Sequence, residues 1–230
     1  MTSASLPAPL AGPVFVRLLA RVAAVGAGAR PDGPLAATLA QWIDWPRAVT
    51  LATALDVAQP ATDGSGFEAS DDAACSQLRA QLREAIERDP LLAVPGADVA
   101  EFAPFRACVL AHQRAMLAAT GRLRGRLRDM LAARPAHARL AEVDAAMEQV
   151  LAPREHALLS SVPDLLAAHF ERMRAEASAA DPASVPTQGA PAWLDRFRLD
   201  LRELLLAESD LRFSPVEALL AALRTPDPSP

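Results

Sequence analysis

The stretch FAPFRACVLAHQRAMLAATGRLRGRLRDMLAAR, residues 102–134, carries apolar side chains at intervals of mostly three and four residues. This spacing aligns them along one side of a helix, as in the seam of a coiled coil. Asp98 is a suitable N-cap, so the sequence predicts one helix of about 37 residues and roughly 55 Å that starts there and ends with this stretch. Pro104 falls near its start, and Gly121 and Gly125 are its weakest points. The seam consists of Phe102, Phe105, Val109, Met116, Leu123, Leu127 and Met130.

A second apolar seam follows a short break at Arg134-Pro135 and continues to Met173. Pro153 and Pro163 each remove a helical hydrogen bond, so we expect kinks or a break at these prolines. Because a short turn joins two long seams, the sequence predicts an antiparallel helical hairpin within residues 70–177.

The overall composition favours helices. Hydrophobic residues make up 51% of the 230-residue chain, and much of this share is Ala and Leu, which are strong helix formers. Tyr is absent and β-branched residues are sparse, which disfavours a sheet. We therefore expect an all-α fold, an elongated helical bundle with a long central antiparallel hairpin on which shorter helices from both termini pack.

Turn-forming residues divide the chain into segments that we expect to form one structural domain. Near the C-terminus, Ser214-Pro215-Val216-Glu217 has the pattern of a capping box with Pro at the first helical position, which predicts the start of a separate last helix. The predicted segments are an N-terminal short-helix unit (1–58), a loop (59–69), the hairpin region (70–177), a flexible linker (178–191), C-terminal helices packing back on the bundle (192–224) and a disordered tail (225–230).

The sequence indicates a cytoplasmic protein without membrane insertion. No stretch has 18 uncharged apolar residues. The N-terminal apolar run has no basic residue ahead of it and is interrupted by Arg17 and Arg21, so it predicts an amphipathic helix over residues 13–25 and not a signal peptide. Cys75 and Cys108 are the two cysteines, and a chain of this length with so few is not a disulfide scaffold, so we expect reduced thiols.

A basic stretch near the end of the first seam is the most unusual feature of a chain whose net charge is −5. A basic helical face can bind the phosphates of nucleic acid or another polyanion. The alternative is that acids on neighbouring helices, such as Glu142, Asp144 and Glu148, balance these charges within the fold. The arginines point around most of the helix and no aromatic residues alternate with them, which favours the intramolecular alternative. The candidate contact residues are Arg122, Arg124, Arg126 and Arg128.

No motif for catalysis or cofactor binding is present. The four histidines form neither an HExxH pair nor a Cys/His cluster at ligand spacing. His112 lies in the first seam, where a polar residue more often sets helix register than binds a metal. The chain has no Lys, which rules out a Walker-type phosphate loop, and no nucleophile elbow follows a strand. We therefore expect no enzymatic activity, no cofactor, no metal and no small-molecule substrate.

The three tryptophans are candidate interface anchors. Trp42 and Trp45 lie close together in the N-terminal unit, and Trp193 follows the predicted linker. Tryptophan is enriched at binding hot spots, which makes these residues candidates for contact with a partner. The alternative is that they pin short helices to the core.

Several passages at both ends of the chain together resemble a known family. They are FVRLLAR at residues 15–21, QWIDW at 41–45, LATAL at 51–55, WLDRFR at 193–198 and PVEALLAALR at 215–224. They are similar to the proteobacterial domain of unknown function 3348 (DUF3348), and the resemblance spans nearly the whole chain. The resemblance implies no known activity and no functional residues. It does imply genes near those of OmpA-like envelope proteins, and hence an accessory role beside a bacterial envelope assembly.

These observations favour a non-enzymatic cytoplasmic interaction or scaffold protein that uses its helix faces on a protein partner or on a second copy. This expectation rests on the long amphipathic helices and on the absence of a motif for catalysis or cofactor binding. Binding of nucleic acid or another polyanion through Arg122–Arg128 is the alternative function.

Overall fold

The computed structural model describes residues 13–23, 48–49, 52–53, 69–93, 101–180 and 191–225. Within these ranges the chain is helical and contains no strand, so the all-α prediction is confirmed. No helix in the described ranges is long and apolar enough to span a bilayer. The helices are α1 (Val14–Val22), α2 (Ala69–Glu87), α3 (Pro90–Ala93), α4 (Ala103–Ala132), α5 (Ala138–Ser160), α6 (Val162–Ala180) and α7 (Ala192–Arg224).

The chain divides into two compact units, each assembled from three separate segments. The first unit comprises Met1–Pro31, Gln81–Met116 and Ser161–Leu211, and the second comprises Asp32–Ala80, Leu117–Ser160 and Arg212–Pro230. Of the predicted linker and tail, residues 181–190 and 226–230 lie outside the described part of the chain.

Helix α4 corresponds to the first predicted seam, but it is shorter than expected. It begins at Ala103 and not at Asp98, because Pro104 has no N–H with which to bond the carbonyl of residue 100. From there it continues without a break across Gly121 and Gly125 to Ala132, 30 residues in all, or about 45 Å. Its buried side includes Phe105, Val109, Met116, Leu123 and Leu127 from the predicted seam.

The two prolines of the second seam have different effects. Helix α5 passes through Pro153 without a break. Pro153 and Gln149 are both exposed, so water can bond the Gln149 carbonyl that the proline leaves without a partner. The break comes after Ser160, and Pro163 lies in the first turn of α6, where a missing N–H is tolerated.

The prediction that a capping box at Ser214 opens a separate last helix is wrong. Helix α7 runs for 33 residues with Pro215 inside it. Phe213 and Val216, on either side of the proline, are 2% and 1% exposed. Burial of such side chains is worth about 1.5–3 kcal/mol each, comparable to the roughly 3 kcal/mol that an internal proline costs. A continuous helix buries Phe213 and Val216 on the same apolar face, and the free energy of this burial offsets the cost of the hydrogen bond that Pro215 cannot make.

The core of the first unit is aromatic. Phe105 of α4, Phe170 of α6 and Phe197 of α7 are fully buried. Their ring centroids lie 5.1–5.8 Å apart, and both pairs that include Phe197 have edge-to-face geometry, which aromatic quadrupoles favour. The contacts among these three rings thus hold together three helices that are distant in sequence.

The core of the second unit is largely aliphatic. Residues 133–137 join α4 to α5, and Arg128 of α4 pairs with Asp144 of α5 across this turn. A short connection with pairing on both sides of it fits the antiparallel hairpin predicted from the two seams. Buried side chains in this unit include Leu123, Leu127, Leu131, Val150, Phe213, Val216, Leu219 and Leu223.

Candidate functional site

The predicted basic stretch lies on α4 in the second unit, and two of its arginines bind α5. The Nε and NH2 groups of Arg124 donate to the two carboxylate oxygens of Asp144 at 2.9 and 2.8 Å. Both side chains are largely buried, with 15% and 12% of their surface exposed. Arg128 pairs with Glu148 and also lies 3.7 Å from Asp144. These arginines and carboxylates therefore form one ion-pair cluster that joins the two helices.

The pKa of Arg124 depends on both its burial and its carboxylate neighbours. Burial by itself disfavours the charged guanidinium, but the hydrogen bond to Asp144 and the charges of Asp144, Glu148 and Glu155 together outweigh it, so the pKa of Arg124 is raised above its ordinary value. A guanidinium with a planar fork matches a carboxylate through two parallel hydrogen bonds, which is the geometry seen here. Arg124 is thus committed to its partner on α5.

The other two arginines of the stretch are more accessible. Arg126 has 59% of its side chain exposed and pairs with Asp71 of α2 at 3.2 Å. Arg122 is exposed, and no ion pair joins it to any residue in the described ranges. The intramolecular balance of charge that the sequence suggested is therefore present for three of the four candidates, while Arg122 stays open to solvent.

Of the candidate interface anchors, the structure describes Trp193 alone. It lies in the first turn of α7 and is half-buried, with its ring centroid 5.1 Å from that of Phe170 in α6. The edge-to-face contact fastens α7 to the aromatic core of the first unit. Trp42 and Trp45 lie outside the described residues.

A buried polar network joins α1, α6 and α7 in the first unit. The Nε2 atom of His169 lies 3.0 Å from Asp200, and Arg172 donates to its Nδ1 atom at 2.7 Å. A guanidinium can only donate, so Nδ1 accepts and the Nε2–H group donates to Asp200. Asp200 also binds Arg21 of α1 at 3.0 Å and Arg196 at 3.2 Å. His169 and Asp200, at the centre of this network, are 7% and 5% exposed, and the network joins the three helices.

A third polar cluster lies at the break between α2 and α3 in the first unit. The Oδ1 atom of Asp89 accepts the backbone N–H of Leu91 at 2.9 Å and so caps α3. Its Oδ2 atom faces α4, 2.9 Å from His112 Nε2 and 3.5 Å from Cys108 Sγ. All three donor atoms lie within 4.8 Å of one another, and all three residues are partly buried. The cluster brings a carboxylate, a thiol and an imidazole together.

The thiol of this cluster is held in its protonated form. Burial, the negative charge of Asp89 and the hydrogen bond from the thiol to Asp89 raise the pKa of Cys108 to about 12. A thiol with so high a pKa is a poor nucleophile at neutral pH, because the thiolate is the reactive form. Nucleophilic catalysis by Cys108 in this state is therefore disfavoured.

Sequence reasoning missed this cluster. The spacing of four residues between Cys108 and His112 puts both side chains on one face of a helix, and this signal was available. The third member was not, because Asp89 lies in a helix break 19 residues before Cys108 along the chain. His112 was expected to set helix register within the seam rather than bind a metal, and the structure shows that its ring has a hydrogen-bond partner in Asp89.

Comparison with known proteins places the chain in a family. A family model described as a protein of unknown function (DUF3348) matches residues 1–225 of the 230 residues. The chain belongs to the DUF3348 family. Searches of curated proteins and of solved structures found no significant match.

Three of the five passages that resemble DUF3348, at residues 15–21, 193–198 and 215–224, lie wholly within the described residues, and each contains buried side chains. Phe15 in α1 and Phe197 in α7 are buried, and so are Val216, Leu219 and Leu223 near the C-terminus. They form parts of the cores of the two units. The predicted resemblance to DUF3348 is confirmed by the family match, and the buried residues of these three passages belong to the core.

Proposed function

We propose that this DUF3348 chain is a non-enzymatic helical scaffold of the cytoplasm, which binds a protein partner or a second copy through apolar side chains exposed on the second unit. The observation that carries the proposal is the exposure of Leu158 on α5 and Leu117 on α4, at 61% and 53%. Leu140 of α5, 41% exposed, adds to them. Burying a leucine side chain is worth about 1.5–3 kcal/mol, so an interface that covers these residues is favoured.

The main charged and polar clusters have partners within the fold, which leaves the exposed apolar side chains as the better candidates for an interface. Arg124 and Arg128 are held by carboxylates of α5, and the His169–Asp200 pair is enclosed in the first unit. Interfaces are depleted in charged residues at their centres and rich in apolar ones. Of the features described, the exposed leucines are therefore best suited to bind a protein.

Two further observations support the compartment and the kind of partner. Cys75 and Cys108 are both free thiols, which is usual in a reducing compartment. The resemblance to the DUF3348 family implied a role beside an envelope assembly, so we propose a component of such an assembly as the first partner to test.

The test compares variants of the exposed leucines. In one experiment the chain is immobilised on a resin and exposed to lysate of the native host with and without nuclease. In a second experiment the self-association of the chain in solution is followed by sedimentation velocity. We expect a stoichiometric protein partner, or a dimer, that is retained by wild type and lost in a Leu117→Ser, Leu158→Ser double variant. Leu199→Ser is the matched control, because Leu199 is also exposed, at 40%, but lies in the first unit. Association that survives the double variant unchanged would contradict the proposal.

Polyanion binding is a second candidate, and Arg122 is the residue that favours it. Its guanidinium is exposed and without an ion-pair partner among the described residues, and Arg126 is 59% exposed. Two phosphate contacts would give a slope of about −2 in a plot of log K against log salt. The measurement is fluorescence anisotropy of a labelled DNA oligomer with wild type and an Arg122→Ala, Arg126→Ala variant. Absence of binding at low salt rules this candidate out.

A further inference from the structure

We propose that Asp89, Cys108 and His112 form a zinc-binding site in the first unit. Each residue presents one donor atom to the others: Oδ2 of Asp89, Sγ of Cys108 and Nε2 of His112. The donors come from two parts of the fold, since Asp89 precedes α3 while the other two side chains lie one turn apart on α4. A bound ion would therefore clamp the break between α2 and α3 onto α4.

Two of the three separations between donor atoms are near those of a tetrahedral site, and the third, between the sulfur and the imidazole nitrogen, is no more than 4.8 Å. Zinc binds sulfur at about 2.3 Å and nitrogen or oxygen at roughly 2.0–2.2 Å, which in a tetrahedron spaces the donors about 3.4–3.6 Å apart. The sulfur and the carboxylate oxygen are 3.5 Å apart, and the imidazole nitrogen and the same oxygen are 2.9 Å apart. A tetrahedral ion would widen the nitrogen–oxygen separation by about 0.5 Å.

The donors are held in place by contacts of their own residues. Asp89 cannot turn away easily, because its other oxygen, Oδ1, accepts the N–H of Leu91. Its backbone carbonyl also accepts the N–H groups of Leu92 and Ala93 at 2.9 and 2.8 Å. Cys108 and His112 project from the second and third turns of a continuous helix. Preorganised ligands lose less conformational entropy when a metal binds.

The donor set selects among metals. Magnesium and calcium prefer oxygen ligands alone, whereas one thiolate, one imidazole and one carboxylate suit zinc. When the ion binds, the Cys108 thiol gives its proton to solvent and the thiolate forms the S–Zn bond, and no change of oxidation state occurs. Three protein ligands leave one position for water, which can reach the site because the side chains of Asp89 and His112 are 22% and 13% exposed.

The competing interpretation is a purely hydrogen-bonded cluster in which Asp89 accepts from the other two side chains. Cobalt(II) distinguishes the two, because it occupies zinc sites and gives a thiolate-to-cobalt charge-transfer band. The untagged, metal-free chain is titrated with Co²⁺ under reducing conditions. We expect the band to saturate at one equivalent with ligand-field intensity typical of tetrahedral cobalt, and to disappear when Zn²⁺ is added.

Variants identify the ligands. Cys108→Ser keeps a hydroxyl that can donate to Asp89 but removes the thiolate, so the charge-transfer band should be lost while helicity by circular dichroism is unchanged. His112→Gln also keeps a hydrogen-bonding group and should weaken cobalt binding at least about tenfold. Cys75→Ser is the matched control, because Cys75 is the other thiol of the chain and lies in the second unit, so the band should persist.

A second readout is independent of the spectra. Zinc bound to the folded state raises the thermal midpoint of the wild type and of Cys75→Ser, but not that of Cys108→Ser, and magnesium raises none of them. The proposal is overturned if wild type shows no charge-transfer band, if the band remains in Cys108→Ser, or if zinc stabilises wild type and folded Cys108→Ser equally. Should Cys108→Ser fail to fold, wild type and His112→Gln decide the matter by their cobalt affinities.

Discussion

Arg124 of α4 binds both carboxylate oxygens of Asp144 in α5, at 2.9 and 2.8 Å. The pair is 15% and 12% exposed, so solvent screens it less than an ion pair at the surface. Each of these residues also has a second partner, since Glu148 lies 3.5 Å from Arg124 and Arg128 lies 3.7 Å from Asp144. The most basic stretch of the chain thus stabilises the hairpin of the second unit.

Replacement of Arg124 by Ala should therefore destabilise the fold. The change leaves a largely buried carboxylate without its bidentate partner, and we expect the free energy of unfolding to fall by roughly 1.5–3 kcal/mol. Urea denaturation followed by circular dichroism measures this loss. Arg122→Ala, on the same helix but exposed, should change stability by less than about 0.5 kcal/mol. Equal effects of the two variants would show that the bidentate pair contributes nothing specific.

The two glycines of α4 weaken the helix, and no close contact with a described residue requires the absence of a side chain at either position. A Cβ atom at Gly121 or Gly125 meets nothing within 4 Å. Alanine at both positions should raise the free energy of unfolding by about 0.5–1 kcal/mol per site, because glycine loses more backbone entropy on folding. The thermal midpoint should rise by about 2–4 °C per kcal/mol. Ala118→Gly, at an exposed position of the same helix, should produce the opposite shift of similar size.

The stability of the metal-free chain at alkaline pH should depend on its two thiols. The pKa of Cys108 is raised from 9.0 to about 12, chiefly by burial and then by Asp89, and burial also raises the pKa of Cys75. Above pH 9 the unfolded chain therefore loses thiol protons that the folded chain keeps. Folding stability falls as pH rises through this window, by up to about 1.4 kcal/mol per pH unit for each thiol.

The composition makes this effect easy to isolate. Lys and Tyr are absent from the sequence, so no other side chain with an ordinary pKa between 9 and 12 contributes. Urea denaturation between pH 8 and about 11 measures the slope, and a Cys75→Ser, Cys108→Ser variant should show almost none. A slope that is the same with and without the thiols would contradict the assigned pKa shifts.

The tautomer of His169 is a further prediction. Since Arg172 donates to Nδ1 and Asp200 accepts from Nε2, the neutral ring should carry its proton on Nε2. Long-range ¹H–¹⁵N correlation spectra distinguish the two nitrogens directly. In Arg172→Ala the constraint on Nδ1 is removed, but the bond to Asp200 should maintain the same tautomer. Detection of a proton on Nδ1 of the neutral ring in wild type would be incompatible with the network.

Comparison of the sequence with the structure shows which features periodicity can predict. Regular apolar spacing predicted α4 and α5. Of the acids named in the intramolecular alternative for the basic stretch, Asp144 and Glu148 pair with its arginines, whereas the buried carboxylate oxygens of Glu142 have no hydrogen-bond partner among the described residues. Periodicity is a local property, so it did not predict that Asp89 would meet Cys108 and His112 from a helix break. It also did not separate Pro163, where the chain breaks between two helices, from Pro153 and Pro215, where it does not. The difference depends on which neighbours are buried, and burial is decided by the whole fold.

The continuity of α7 at Pro215 predicts the effects of two substitutions. In a continuous helix, Pro215→Ala restores the bond to the carbonyl of Leu211, so stability should rise by about 1–3 kcal/mol. Ser214 then occupies an exposed position inside a helix, and Ser214→Ala should change stability by less than about 0.5 kcal/mol. If Ser214 were the N-cap of a separate helix, its replacement by Ala would cost about 1 kcal/mol, and replacement of the proline at N1 would not stabilise the fold. Urea denaturation of both single variants therefore distinguishes one helix from two: one helix predicts a gain from Pro215→Ala and no loss from Ser214→Ala, whereas two helices predict no gain from the first and a loss from the second.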